Sequence, residues 1–272
     1  MPLSPPVALT IAGSDNSAGA GAQADLKTFT ALGVYGLTAI TCVVAEVPGK
    51  VSAIQPIDEQ IVREQIRLSF SAYPVAALKT GLLHSKKIIE AVCDILEEMS
   101  VKGGPSHPPL VVDPVMVATS GDALLSEDAV AVYTGRLFKL ATLVTPNLDE
   151  VRALLGRHIA NIDQMRAAGR ELAGRFGTSF LLKGGHLRGS EAAIDLLFTG
   201  SEVREYSARF VPNVATHGTG CTYSAAITAG LAKGLELPLA VAEAKPFVTR
   251  AIANHFSWKR DSGATDALNH FL

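Results

Sequence analysis

Along the chain, short runs of apolar and β-branched residues alternate with longer stretches whose apolar positions recur at helical spacing. The runs fall at 7–12, 38–45, 76–83, 109–116, from 141 onward and at 179–186. Most are nearly uncharged, the pattern of strands covered on both faces. The stretches between them, from Ala22 onward, at 58–71, 85–99 and 162–176, carry the period of amphipathic helices. Strands alternating with helices predict an α/β fold, a mostly parallel central sheet with helices on both faces. At 192–198 and 203–207 polar and apolar positions alternate, which predicts a small β-hairpin at one edge of that sheet. No internal repeat is visible, and 272 residues suit one domain over 1–272.

In open α/β sheets ligands lie beyond the carboxyl ends of the strands, so the residues that close each run are the candidates for chemistry. The first run opens into a glycine-rich loop, Gly13-Ser14-Asp15-Asn16-Ser17-Ala18-Gly19-Ala20-Gly21. It lacks the glycine spacing of a dinucleotide site, and no acidic residue follows where a ribose would need it. The loop therefore reads as a seat for a small substrate, with Asp25 on the following helix expected to accept a hydrogen bond from it. The second run ends at Glu46, which would face the same space. Asp113 closes the run at 109–116, and the small, flexible residues 118–123 that follow suit a flap. Asn147 and Glu150 share the next strand end, Glu150 near the start of a helix, and Lys183 closes the run at 179–186.

The stretch Thr216-His217-Gly218-Thr219-Gly220-Cys221 is a glycine-rich turn that feeds a run of small and apolar residues at helical spacing. The first N–H groups of such a helix have no internal partner, and with the helix dipole they favour a phosphate. The spacing is not that of a P-loop, which needs four residues between its glycines and a Gly-Lys-Ser/Thr ending. Cys221 at the mouth of this site is expected to have a thiol pKa lowered toward neutrality, which would make it a proton acceptor.

Composition narrows the partners. A formal charge of −2 with both signs interspersed offers no basic stripe, so nucleic acid and anionic membranes are not expected partners. Cys42, Cys93 and Cys221 lack metal-ligand spacing and a disulfide pattern. No signal-like or membrane-spanning stretch is present, so a cytoplasmic protein that handles small molecules is expected. Carboxylates and an amide for hydrated Mg²⁺, an ammonium for phosphate and an anion turn are together the parts of phosphoryl transfer.

The motifs are also specific as a set. Residues 8–15 and 19–29, Val112-Asp113-Pro114-Val115-Met116, Thr145-Pro146-Asn147-Leu148-Asp149-Glu150, Leu182-Lys183-Gly184-Gly185-His186 and 216–226 resemble the bifunctional hydroxymethylpyrimidine/phosphomethylpyrimidine kinases of thiamine biosynthesis, over nearly the whole chain. That resemblance implies a ribokinase-like three-layer sandwich using ATP and Mg²⁺. It implies catalysis at Gly218, Thr219, Gly220 and Cys221, the last replacing an aspartate of many superfamily relatives. It implies ATP contacts from Lys183, Asn147 and Thr216, a metal site at Asp113 and Glu150, and a pyrimidine against Gly13, Asp25, Glu46 and Leu82. Two reactions in sequence follow from it, to the monophosphate and then to the diphosphate. Leu82 replaces a common methionine, Asn16 and Ala18 replace proline and glycine, and Val47-Pro48-Gly49-Lys50 departs from the usual sequence after Glu46. Pyridoxal kinases that share the Gly-x-Gly-Cys turn are the alternative; they often carry a second cysteine in the flap, where this chain has Ala118. The polar hairpin edge would suit a homodimer.

Overall fold

The computed structural model describes residues 4–100, 107–116, 125–185, 187, 192–212, 214, 217–260 and 263–271. Its elements are β1 (Val7–Asp15), α1 (Gly21–Ala31), β2 (Tyr35–Val47), β3 (Lys50–Pro56), α2 (Glu59–Ala72), β4 (Val75–Thr80), α3 (Lys86–Ser100), β5 (Leu110–Val112), α4 (Glu127–Val132), a π-helical turn (Tyr133–Leu137), α5 (Phe138–Leu140), β6 (Leu143–Val144), α6 (Leu148–Leu155), α7 (Ile162–Phe176), β7 (Ser179–Lys183), β8 (Ala192–Thr199), β9 (Glu202–Arg209), α8 (Thr219–Ala232), α9 (Leu237–Ala253), β10 (Phe256–Arg260) and β11 (Gly263–Ala267). Among the described residues nine strands pair in the order β3-β2-β1-β4-β5-β6-β7-β8-β9. From β2 to β7 the neighbours run parallel, while β3 at one edge and β8 and β9 at the other run antiparallel.

Successive side chains of a strand point to opposite faces, and here both faces are apolar. Val7, Leu9 and Ile11, Leu78, Leu110 and Val112, Phe180 and Leu182 pack on one side with α2, α3, α6 and α7. The residues between them, Ala8, Ala77, Val111, Leu143 and Leu181, face α1, α8 and α9. The small side chains of this second face let α8 lie close to the sheet. Helix α8 is buried continuously from Thr222 to Ala232, as a helix apolar all round must be. Glycines end two helices on the other face, since Gly156 and Gly177 take the left-handed conformation after α6 and α7.

Two prolines set where the site begins. The N–H groups of Asp113 and Thr145 make the last bonds of β5 to β4 and of β6 to β5, to the carbonyls of Thr80 and Val112 at 3.0 and 2.9 Å. The next residues, Pro114 and Pro146, have no N–H to donate to the preceding strand, so those two ladders end there, while Asn147 still bridges to Lys183 on the other side. Asp113 and Asn147 are thereby presented at the sheet's end.

The structure departs from the sequence reading in three places. Strand β2 does not stop before Glu46 but continues to Val47 and turns at Pro48-Gly49 into β3, so Glu46 lies inside a hairpin. The segment 127–140, to which the pattern assigned no element, is helical and includes the π-helical turn. The C-terminal residues form a separate two-stranded sheet, β10 with β11. Among the described residues no helix is long and apolar enough to cross a membrane.

Candidate active site

The carboxylate of Asp113, 2% exposed, accepts hydrogen bonds from Lys183 Nζ at 2.9 Å, Thr145 Oγ1 at 3.2 Å and Ser224 Oγ at 3.2 Å. Tyr133 of the π-helical turn donates to its backbone carbonyl from behind at 3.2 Å. Burial would raise the Asp113 pKa, but Lys183 and Lys79 more than offset it and hold the group below the usual carboxylate range. Lys183 is placed beside Asn147 by a parallel bridge, its N–H bonded to the carbonyl of Pro146 at 2.9 Å. Asn147 and Glu150 close a capping box at the start of α6. The Asn147 side chain accepts from Glu150 N–H at 2.9 Å, and Glu150 Oε2 accepts from Asn147 N–H at 2.7 Å. Burial pushes the Glu150 carboxyl up to about 8 against the pull of Lys183. One oxygen of Glu150 is thus structural, so any metal would reach it from the other.

The glycine turn is the N-cap of α8, with Gly218 at φ 81° and its carbonyl accepting from Thr222 N–H at 2.9 Å. A Cβ at Gly218 would stand 1.8 Å from the carbonyl oxygen of Gly19, and one at Gly220 3.2 Å from Lys183 Nζ and 3.5 Å from Asp113 Oδ2. The first turn of α8 therefore lies over the Lys183–Asp113 pair and against the loop after β1. Beside it, Thr219 Oγ1 is buried without a hydrogen-bond partner. Thr216 and the expected flap at 118–123 lie outside the described residues.

Two sequence expectations are corrected here. The Cys221 thiol is not lowered toward neutrality; burial pushes it up to about 12, although Lys79 and a hydrogen bond from Gly21 N–H oppose this. A helix N-terminus lowers a thiol only where the thiolate is solvated or paired, and here desolvation wins. Asp25 does not face the pocket; it is fully buried, 2.8 Å from Lys79 Nζ, and accepts from Thr10 Oγ1 at 2.6 Å. Its Oδ1 has no partner. Burial disfavours the Lys79 ammonium, but Asp25 more than restores it, and Cys221 and Asp113 add to the effect. Sequence reasoning passed over Lys79, whose signal was a single cation inside an otherwise uncharged run.

On the other side of the α8 turn, Gly13 packs so that a Cβ there would meet Cys42 Sγ at 2.8 Å and Leu82 Cδ2 at 3.6 Å. The Leu82 carbonyl accepts from Thr41 Oγ1 at 2.6 Å. The loop after β1 is folded around Asp15, whose carboxylate accepts from Ser17 N–H at 2.6 Å, Ser17 Oγ at 2.9 Å, Ala20 N–H at 2.8 Å and His217 Nε2 at 3.3 Å. Despite its burial these bonds, His217 first, hold Asp15 at about 2. Ala18, where glycine is common, takes φ 56°, a left-handed conformation costly for any residue with a Cβ. Asn16 Oδ1 accepts from Glu46 N–H at 2.7 Å, and carboxylate oxygens of Asp15 and Glu46 lie with a ring nitrogen of His217 within 4.8 Å of one another. Gly13 thus lies beside Leu82, Glu46 lies near His217 just before the α8 turn, and Asp113 and Lys183, with Asn147 bridged to Lys183, lie against Gly220. His217 was overlooked as a separate residue, because only the fold brings Asp15 to it.

A family model described as phosphomethylpyrimidine kinase matches residues 15–266. The hydroxymethylpyrimidine/phosphomethylpyrimidine kinase of Rhizobium meliloti is 46% identical over 248 residues, which are 91% of this chain and 90% of that one. That of Streptomyces coelicolor is 43% identical over 267 residues, 97% and 95% of the two chains. Among solved structures, the ADP complex of Bacillus subtilis pyridoxal kinase superposes with a TM-score of 0.87 at 36% identity and 98% coverage of both chains. The ribokinase-like architecture implied by the motifs is therefore the one observed, and the chain belongs to the phosphomethylpyrimidine kinase family.

Proposed function

We propose that the chain transfers the γ-phosphoryl group of ATP to the hydroxymethyl oxygen of 4-amino-5-hydroxymethyl-2-methylpyrimidine, and then a second phosphoryl group to the resulting monophosphate. The observation that carries this reading is the first turn of α8, which touches Lys183 and Asp113 through Gly220 and the loop after β1 through Gly218. One helix end thus joins a cation suited to phosphate with the loop beside which a small alcohol would lie. Its N–H groups would stabilise charge on the phosphoryl group in flight, and Lys183 would exchange part of its contact with Asp113 for phosphate oxygens. Asn147 and Thr216 would complete the ATP side. Asp113 and Glu150 offer hard oxygen donors that fit Mg²⁺, which would neutralise phosphate charge when bound.

Cys221 would orient the alcohol. Its thiol is protonated at neutral pH in the free protein, so it is not a resting base. A loose phosphoryl-transfer transition state asks mainly for positioning and charge stabilisation, and loses the hydroxyl proton late. Three free cysteines fit a reducing compartment, and we place the reaction in the cytoplasm.

Pyridoxal phosphorylation is the second reading, favoured by the close superposition on the Bacillus subtilis enzyme. Glu46 weighs toward the pyrimidine, because a carboxylate accepts a hydrogen bond from an exocyclic amine that pyridoxal lacks. Glu46 is half-buried, and an acceptor that a bound ligand covers penalises an analogue that leaves it unpaired. ADP release measured with hydroxymethylpyrimidine, its monophosphate and pyridoxal tests the choice. Both pyrimidines turn over and pyridoxal has a lower kcat/KM; a faster reaction with pyridoxal would put the second reading first.

A further inference from the structure

Asp15 and Glu46 come from neighbouring strands, β1 and β2, and their carboxylates meet where two negative charges would repel. Two carboxylates that share a site cannot both stay ionised without help, and one takes a proton. Asp15 is not the one to yield, because Ser17 and Ala20 already donate three hydrogen bonds to it. The proton would fall on Glu46, the carboxylate given the substrate-binding role above. His217 completes the cluster, its Nε2 3.3 Å from Asp15 Oδ2 and a ring nitrogen within 4.8 Å of a Glu46 carboxylate oxygen. Its ring packs against Gly19, where a Cβ would lie 2.9 Å from Cδ2.

We propose that His217 is a positioning residue for the substrate pocket, an imidazolium bonded to Asp15 and close enough to Glu46 to keep it ionised and able to accept a hydrogen bond from an aminopyrimidine. The inference rests on the functional reading above. The charged groups that face the ring are Asp15 from β1 and Glu46 from β2, while Gly19 and Gly218 offer only backbone. The shifts agree with the geometry. The Asp15 hydrogen bond raises His217, and Glu46 is raised by burial and by Asp15 but lowered by His217. As pH falls, binding of the pyrimidine weakens when Glu46 takes its proton; without the imidazolium that acid limb moves to higher pH.

The test is calorimetric titration of the full chain with hydroxymethylpyrimidine, without ATP, from pH 5 to 8. In His217→Gln the acid limb is expected to move up by about one pH unit, so that near pH 6 the pyrimidine binds up to about tenfold more weakly while affinity at pH 8 is retained. ADP binding is unchanged at both pH values, and Glu46→Gln removes the acid limb. An unmoved limb in His217→Gln, with normal wild-type binding, overturns the inference alone. Absence of pyrimidine binding to wild type at every pH overturns the functional reading and this inference with it. Should His217→Gln not fold, NMR titration of the His217 ring supplies the reciprocal measurement. Its midpoint falls in Glu46→Gln, and an unmoved midpoint overturns the proposal.

Discussion

Gly218 and Gly19 are in backbone contact, so close that a Cβ on Gly218 would lie 1.8 Å from the Gly19 carbonyl oxygen. With φ at 81°, Gly218 is also in a conformation that side chains avoid. Gly218→Ala must push the α8 turn away from the loop, and a displacement of about 1 Å can cost on the order of 100-fold in rate. We expect kcat/KM for ATP to fall by roughly that factor with the fold retained. Steady-state kinetics beside a thermal melt checks this; a fully active variant would remove the turn from the phosphoryl site.

Cys221, Cys42 and Cys93 are pushed by burial up to about 12, 11 and 12 respectively. The thiolate is the reactive form, so at pH 8 iodoacetamide should label the native chain at least roughly 100-fold more slowly than a free thiol. Mass spectrometry over a time course measures it, with the denatured chain as reference. Rapid labelling at Cys221 would restore the original expectation of an activated thiol.

Lys79 and Asp25 form a fully buried ion pair. Removing one partner leaves a charge uncompensated, at about 3–5 kcal/mol, whereas replacing both by apolar groups can be close to neutral. We expect Lys79→Met to lose stability on that scale and Lys79→Met with Asp25→Leu to recover much of it. Urea unfolding of the two single variants and the double variant gives the coupling, and additive losses would contradict a charged pair.

His270 is buried against Thr222, its Nε2 3.0 Å from the hydroxyl, and burial, with Lys27 assisting, depresses its pKa to about 4. Below about pH 6.5 the unfolded chain takes up a proton that the native chain refuses. The stability from this group is present above pH 6.5 and is lost as pH falls toward 4, by up to about 3 kcal/mol. His270→Gln should flatten that part of the difference in unfolding free energy between pH 7 and pH 4.5. Parallel pH curves for variant and wild type would rule the effect out.

Element order was legible in the sequence because it depends on local properties. The β-branched runs and the helical period at 162–176 are each written within a few residues, and α7 appears where that period implies. Lys183 and Asp113 could be named as neighbours of an anion turn because parallel strands bring their carboxyl ends to one edge. Less was legible where pattern was weak or mixed: β3 is largely exposed, and residues 127–140 combine two α-helical pieces with a π-helical turn.

Only the tertiary structure decided what each side chain meets. Lys79 finds Asp25 across 54 residues and His217 finds Asp15 across 202, distances over which no local period carries information. The same holds for protonation. A cysteine at a helix start carries the mark of a lowered pKa in sequence, yet the packed fold leaves Cys221 half-buried and desolvation reverses the sign. Desolvation is set by segments remote in the chain that exclude water from a point in space, and it acts on the charged form alone. The residue types of the site could therefore be read from the sequence, while their ionic states waited on the packing around them.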